Sequence, residues 1–352
     1  YMGLYESETY LLDLDYMMDK MIWLKQFEGK SIFITGSTGF LGSAVADILL
    51  RYSELHNGNI KIYLAGRSRK RVTNRFSKYI LQKYCIYREY DATHQNKLPV
   101  SLDYLIHAAS NAYPYLIQKN PIETMQDNFC GLMELLQYCV DHTVQNVVYV
   151  SSSEIYGRKD NNNPYQENEY GYIDVLNSRS SYPISKRAAE TLCASYIAEK
   201  DIAVSIVRPG HIYGPTATRK DNRVSTAFAY NASDGKDIIM KSDGAQIRSY
   251  CYMLDCASAI LYVLLKGKKG EAYNISNPNS IMSIRELAEY LAKVGNVRLK
   301  FELPSQDEKK AFNPMNNSSL NSEKLCGLGW SGLFDAKLGL EHTVKIIKEA
   351  KI

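Results

Sequence analysis

Nothing in these 352 residues approaches the roughly 20 consecutive apolar positions that a membrane-crossing helix requires. The first residues also lack a basic segment followed by an apolar core, so neither a signal peptide nor an anchor is expected and the setting expected is cytoplasmic. The seven cysteines contain no Cys-x-x-Cys pair and lie far apart. That spacing argues against a disulfide framework or a zinc site and leaves free thiols, with no metal expected. Excess charge of one sign is scarce as well. The 42 Lys plus Arg against 38 Asp plus Glu give a net +4, too little to make nucleic acid or a membrane surface the main partner. Internal repeats and low-complexity tracts are absent. What remains is an ordinary globular composition, 45% hydrophobic and 23% charged, long enough for one large core or two unequal domains.

From about Lys30 onward, short β-branched runs at 31–35, 61–65, 84–87, 104–107, 146–151 and 203–207 alternate with helical patterns at 41–52, 121–141 and 182–199. Strands separated by helices predict an α/β chain with a Rossmann-like, doubly wound parallel sheet. After Pro209 the alternation breaks down into polar loops around 216–222 and 274–280 and a helix over 283–294, which reads as a smaller C-terminal substrate-binding lobe. The organisation expected is a helical extension over 1–28, a dinucleotide domain over 29–208 with a return segment near 249–266, and a substrate lobe from 209–248 and 267–352. The extension carries Leu11, Leu12, Leu14, Tyr16, Met17 and Met21 among acidic residues, the pattern of an amphipathic helix.

Thr35-Gly36-Ser37-Thr38-Gly39-Phe40-Leu41-Gly42 follows the apolar run Ser31 to Ile34 directly and opens a helix. Glycines at these steps permit positive φ, close backbone approach to a pyrophosphate and tight helix–strand packing, while the helix N-terminus offers N–H groups to an anion. An ordinary tight turn is the plain alternative, and the strand–turn–helix context favours a dinucleotide site. Further along, Tyr182-Pro183-Ile184-Ser185-Lys186 places a phenol and an ammonium one helical turn apart. The ammonium is expected to ease ionisation of Tyr182 and make it a general base toward a substrate hydroxyl. A solvent-facing pair is the alternative. Ser151-Ser152-Ser153-Glu154-Ile155-Tyr156-Gly157 ends the strand over 146–150 at the carboxyl edge of the sheet, where doubly wound folds hold their ligands. These hydroxyls orient a reacting oxygen, or only cap backbone groups.

In this order, and followed by Val207-Arg208-Pro209-Gly210-His211-Ile212-Tyr213-Gly214-Pro215, these motifs resemble the extended short-chain dehydrogenase/reductase family of nucleotide-sugar epimerases, dehydratases and decarboxylases. The resemblance runs from about Lys30 through Gln246 to Tyr250 and Asp255 to Leu328-Gly329-Trp330. It implies an enzyme that transiently oxidises sugar C4: hydride leaves for a nicotinamide, chemistry follows on the ketone, and the hydride returns. By the same resemblance Ser152 holds O4, Tyr182 is the base and Lys186 its partner. Glu154 is a carboxylate beside C5, which 4-epimerases do not need. The hydroxyl-Ser-Glu triplet resembles those of GDP-mannose 4,6-dehydratases and UDP-glucuronate decarboxylases, whereas dehydratases acting on TDP-glucose place Asp where this chain has Ser153, a poor proton donor. The reading expects a nucleotide-sugar 4,6-dehydratase, with a nucleotide-uronic acid decarboxylase next and a 4-epimerase third. A catalytically silent dinucleotide-binding scaffold is the non-enzyme alternative.

The second strand ends in Gly66-Arg67-Ser68-Arg69-Lys70-Arg71 and not in the acidic residue that would bind a ribose 2′-OH, so NADP is favoured over NAD. Asp91-Ala92 and Ala108-Ala109-Ser110 resemble the family's adenine and phosphate-side contacts, and His107 reads as a buried, hydrogen-bonded histidine. On the substrate side, His211 takes the place of an asparagine at the sugar diphosphate and is expected to make binding pH-dependent. Arg248 matches the diphosphate arginine, Arg223 lies where related enzymes cover the nucleotide, and Ser153 faces the sugar. The helices at 121–141 and 182–199 resemble those that pair two subunits, so a homodimer is expected.

Overall fold

The computed structural model describes residues 3–57, 59–94, 96, 98–99, 101–110, 114–304 and 315–352. Residues 1–2 of the expected extension and 305–314 of the expected C-terminal lobe lie outside the described residues. Seven strands form one parallel sheet: β1 (Ser31–Thr35), β2 (Lys61–Gly66), β3 (Cys85–Glu89), β4 (Tyr104–His107), β5 (Asn146–Val150), β6 (Val204–Pro209) and β10 (Ala272–Ile275). Their order is β10-β6-β5-β4-β1-β2-β3, with every neighbouring pair parallel. The chain therefore reverses direction across the sheet between β1 and β4. A crevice opens there at the strands' carboxyl ends. All five β1 residues are buried. Its alternation sends Ile32 and Ile34 to one face and Phe33 to the other, into two separate apolar clusters.

The helices are α1 (Glu8–Lys20), α2 (Phe40–Leu55), α3 (Arg69–Arg75), α4 (Pro114–Lys119), α5 (Pro121–His142), α6 (Ser181–Lys200), α7 (Val224–Ser233), α8 (Met253–Lys266), α9 (Ile284–Gly295), α10 (Glu323–Gly327) and α11 (Ala336–Ala350). α2 and α8 pack together beneath one sheet face, and α5 pairs with α6 over the other. Among the described residues, no helix is long and apolar enough to cross a membrane.

The segment after Pro209 is more regular than its polar composition suggests. β7 (His211–Tyr213), β9 (Ile247–Tyr252) and β11 (Ile281–Ser283) make a second sheet, and β8 (Ile238–Met240) pairs with β12 (Leu299–Phe301) in a third. The loop expected over 274–280 begins as strand: β10 carries Asn274 fully buried. Its amide donates to the carbonyls of Tyr165 and Asn321 and accepts from the Tyr156 hydroxyl. A core asparagine is stable only because all these partners converge on it.

The extension is helical and deeply built in. Tyr10, Leu14 and Met17 are buried, whereas Leu12 and Tyr16 face outward. Tyr5 and Tyr10 donate to the carboxylate of Asp47 on α2, which also pairs with Arg75 at the end of α3. Asp13 accepts from Tyr252 and meets His342, and Ser7 and Thr9 donate to Glu349. The first 28 residues thus tie α2 and α3 to the last helix.

Candidate active site

At the sheet reversal, Thr35 Oγ1 contacts His107 Nδ1 at 2.8 Å and accepts from the backbone N–H groups of Ala108 and Ala109. This hydroxyl clamps the 108–110 loop over Gly36. Gly36 has φ +64°, and a Cβ on it would lie 2.8 Å from the Ala108 carbonyl. A Cβ on Gly42 would lie 2.3 Å from the Gly36 carbonyl. Only glycine fits either position. Gly39 caps α2 without a side chain, leaving the first N–H groups of the helix to a ligand.

Gly36, Thr38, Gly39, Arg67, Ser68, Asp91, Ala92, Ala109 and Ser110 line one cleft, with Phe40, Leu41 and Gly42 opening α2 beside it and Ala108 in the clamped loop. The Ser110 hydroxyl is buried there without a hydrogen-bond partner among the described residues. A cradle with no room for a Cβ, a bare helix start and an orphaned hydroxyl fit a dinucleotide. Ser68 caps α3, and Arg67 lies 3.6 Å from Glu123 on α5. Arg71 and Asp127 also line the cleft. Burial, reinforced by Glu123, pushes the Asp127 carboxyl up to about 6. Asp127 was not singled out from sequence, although its four-residue spacing from Glu123 puts both on one helix face.

Ser152 follows β5 and caps a 3₁₀ turn over Ser153–Tyr156, its hydroxyl accepting from the Glu154 N–H at 3.1 Å. Tyr182 stands in the first turn of α6, nearly buried, within hydrogen-bond reach of Ser152. Arg187 fastens α6 to this turn through the carbonyls of Ile155, Tyr156 and Gly171. The structure therefore brings Ser152, Ser153, Glu154 and Tyr182 together.

Two expectations about ionisation are reversed. Burial pushes the Tyr182 phenol up to about 12, helped by Glu154, with Ser152, Arg223 and Arg179 pulling the other way. Lys186 does not ease it as expected. Its ammonium is buried, donates to the Val150 carbonyl at 2.8 Å, lies 5.9 Å from the Tyr182 ring and is itself lowered to about 7 by burial. It also lies 4.8 Å from the ring centre of buried Tyr149, a neighbour that no local motif announced. His211 is no pH sensor: burial, with Arg248 and Arg223 nearby, lowers it to about 3, so the ring stays neutral through the physiological range.

His211 Nδ1 and the Tyr250 hydroxyl are buried without partners, their rings 6.0 Å apart. Arg248 is buried, and its Nη1 donates to the Ile247 carbonyl. Among the described residues it pairs with no carboxylate. Arg223 is held by buried Asp221 and lies over the Phe40 ring, bridging toward the cofactor turn. Arg248 and the two orphaned polar atoms make a cluster suited to an anion, with Arg223 close enough to His211 to act on it. Arg208 is structural instead, buried against Glu190 and the Tyr156 hydroxyl.

Sequence reasoning also missed Arg179. It occupies the 3₁₀ turn Ser178–Ser180 immediately before α6, and its Nη2 lies 3.0 and 2.9 Å from the two carboxylate oxygens of Glu154. Its signal was a position one turn upstream of Tyr182.

Residues 32–276 match the model of the NAD-dependent epimerase/dehydratase family. The UDP-glucuronic acid decarboxylase 1 of Xenopus tropicalis is 25% identical over 334 residues, covering 93% of this chain and 74% of that protein. The dTDP-D-glucose 4,6-dehydratase of Homo sapiens is 26% identical over 336 residues, covering 91% and 90%. Among solved structures, the UDP-glucuronic acid 4-epimerase of Bacillus cereus, in complex with UDP-glucuronic acid and NAD, superposes with a TM-score of 0.74 at 21% identity, covering 91% of this chain and 99% of that one.

Proposed function

This chain belongs to the NAD-dependent epimerase/dehydratase family, whose model matches most of its length, and we propose that it decarboxylates a UDP-linked uronic acid through transient oxidation at sugar C4. The observation that carries this reading is Ser153. Dehydratases of the TDP-glucose type deliver a proton to the leaving C6 oxygen from an Asp between the hydroxyl residue and the Glu, and here that position is a hydroxyl too weakly acidic to supply one. Carbon dioxide leaves without a proton. The similarity to UDP-glucuronic acid decarboxylases across 93% of the chain supports the same choice over the dehydratase that the motifs first suggested.

A dinucleotide held by the cradle around Gly36, Gly39 and Gly42 would supply the hydride acceptor for C4 and the source of the hydride's return. Ser152 orients O4, and the minor ionised form of Tyr182 takes its proton as the C4 ketone forms. The C5–C6 bond then breaks with its electron pair drawn toward the C4 carbonyl. Glu154, partly exposed on the turn beside Tyr182, relays a proton from solvent to C5. Lys186, one turn behind Tyr182, serves the cofactor ribose. Arg248 and His211, with Arg223 at the cleft's edge, receive the sugar diphosphate.

Mass spectrometry of UDP-glucuronic acid and dTDP-glucose incubated with enzyme and dinucleotide tests this reading. The uronic acid is expected to lose the mass of carbon dioxide. A hexose that loses water instead, with the uronic acid untouched, would restore the dehydratase, the reading favoured by the human relative.

NADP is the cofactor form we favour, supported by Arg67, Ser68 and Arg71 on the cleft and by Gly66 where an acidic residue would select NAD. Arg71→Glu is expected to weaken NADP binding about 10- to 100-fold relative to NAD, the worth of a charge-assisted hydrogen bond. Equal Kd values for both dinucleotides in wild type and variant would make this a solvated loop. A second copy of the chain is the proposed partner: Ile122, Met125, Phe129 and Met133 are exposed along one stripe of α5. All seven cysteines are free, in keeping with a cytoplasmic setting.

A further inference from the structure

Lys186 on α6 and Tyr149 on β5 are buried side by side, with the ammonium 4.8 Å from the centre of the phenol ring. Tyr149 reaches α6 because β5 alternates: Val147 and Tyr149 join the apolar cluster under α5 and α6, whereas Val148 and Val150 join the one on the opposite face. The ring also stacks on that of His107, with centres 5.9 Å and planes 20° apart. Its hydroxyl is buried with no hydrogen-bond partner among the described residues. What Tyr149 offers Lys186 is therefore the face of its ring.

An ammonium this deep needs negative potential close by. Burial lowers Lys186 to about 7, so at neutral pH its charge depends on what surrounds it. Glu190, one turn further along α6, favours the charge, but its two oxygens are held by Arg208 of β6 at 3.0 and 2.6 Å. Burial pushes up both the Cys193 thiol and the Tyr182 phenol on the same helix, and each keeps its proton. His107 on β4 is lowered to about 3 by burial and by Lys186 itself, so it adds no charge. From α5 comes the uncharged Asn128, which donates to Ser185 at 3.1 Å. The Val150 carbonyl and the Tyr149 ring remain, and a ring face attracts a desolvated cation at this distance.

We propose that Tyr149 is a positioning residue of the acid–base site, its ring face holding Lys186 as an ammonium where the cofactor ribose meets it. This deepens the proposed mechanism and rests on it only for the ribose contact, since the pairing of ring and ammonium is the same whichever sugar is the substrate. The hydroxyl takes no part, so phenylalanine serves in its place. Leucine, apolar but without a π face, does not. Because the ring favours the charged form, removing it lowers the pH at which Lys186 gives up its proton.

Lysine labelled with carbon-13 at Cε reports the titration of each ammonium by NMR, and Lys186→Met identifies the Lys186 signal by its loss. Midpoints are compared in wild type, Tyr149→Phe, Tyr149→Leu and a protein carrying a trifluorinated phenylalanine in place of Tyr149, whose ring keeps its shape and loses its negative face. Thermal melting establishes that each is folded, and the fluorinated ring carries the comparison if the leucine variant is not. Tyr149→Phe is expected within about 0.3 pH unit of wild type, and the leucine and fluorinated proteins about one unit or more lower, a tenfold loss of ammonium. Dinucleotide affinity, titrated by calorimetry across the same range, is expected to weaken as Lys186 discharges, at correspondingly lower pH in Tyr149→Leu. Equal midpoints in all these proteins, or a fall in Tyr149→Phe as large as in Tyr149→Leu, overturn the proposal. Midpoints that shift as expected while dinucleotide affinity stays flat with pH would remove Lys186 from the ribose and leave the pairing of ring and ammonium standing.

Discussion

Tyr182→Phe will lower turnover about 10²- to 10⁴-fold, the range that a positioned acid–base group contributes, while dinucleotide affinity stays near that of wild type. The ring is nearly buried at the head of α6, so phenylalanine keeps its packing and loses only the oxygen that meets Ser152. No neighbouring group can replace it. Glu154 is paired with Arg179, and the Lys186 ammonium is turned to the Val150 carbonyl. Single-turnover measurement of product mass, alongside calorimetric titration of dinucleotide, checks this. Turnover within about threefold of wild type would remove Tyr182 from the chemistry.

Asp47→Ala will destabilise the protein by about 3–5 kcal/mol, the cost of leaving a buried charge without its partner. Asp47 is fully buried and holds Arg75, itself 3% exposed, together with the hydroxyls of Tyr5 and Tyr10. Without the carboxylate, one guanidinium and two phenols are stranded in the core. The extension loses its anchor on α2 at the same stroke. Urea denaturation gives the magnitude, and limited proteolysis is expected to cut first within residues 3–28. Asp47→Ala/Arg75→Met should recover much of the loss, because it removes the stranded cation as well. A single variant as stable as wild type would mean that water reaches Arg75.

Much of this was legible in the chain because it is local. The turn from Thr35 to Gly42 announces its conformation through glycine, whose lack of a Cβ is a property of the residue and not of its surroundings. Alternation of β-branched runs with helical spacing dictates a parallel sheet, since parallel neighbours need a crossover between them. Tyr182 and Lys186 share a helix face by spacing alone. The extension's apolar positions foretold a packed helix, although not that Asp13 and Asp47 would be its contact points.

The rest depends on residues distant in sequence. β10 was hidden because Asn274 reads as a loop residue until Tyr156, Tyr165 and Asn321 come to satisfy its side chain. Likewise His211 carries an ordinary imidazole, but burial beside Arg248 and Arg223 removes its titration from the neutral range. Tyr182 was expected to ionise more easily beside a lysine, and the enclosure that hides both groups acts oppositely on each, raising the phenol and lowering the ammonium. Arg179 acquires its meaning only across the 25 residues that separate it from Glu154. The sequence by itself determined the sheet, the glycine turn of the dinucleotide cradle and the shared helix face of Tyr182 and Lys186, all matters of short-range spacing and steric size. Tertiary structure alone decided which charges are paired and which are desolvated, because solvation and pairing depend on what the fold brings alongside.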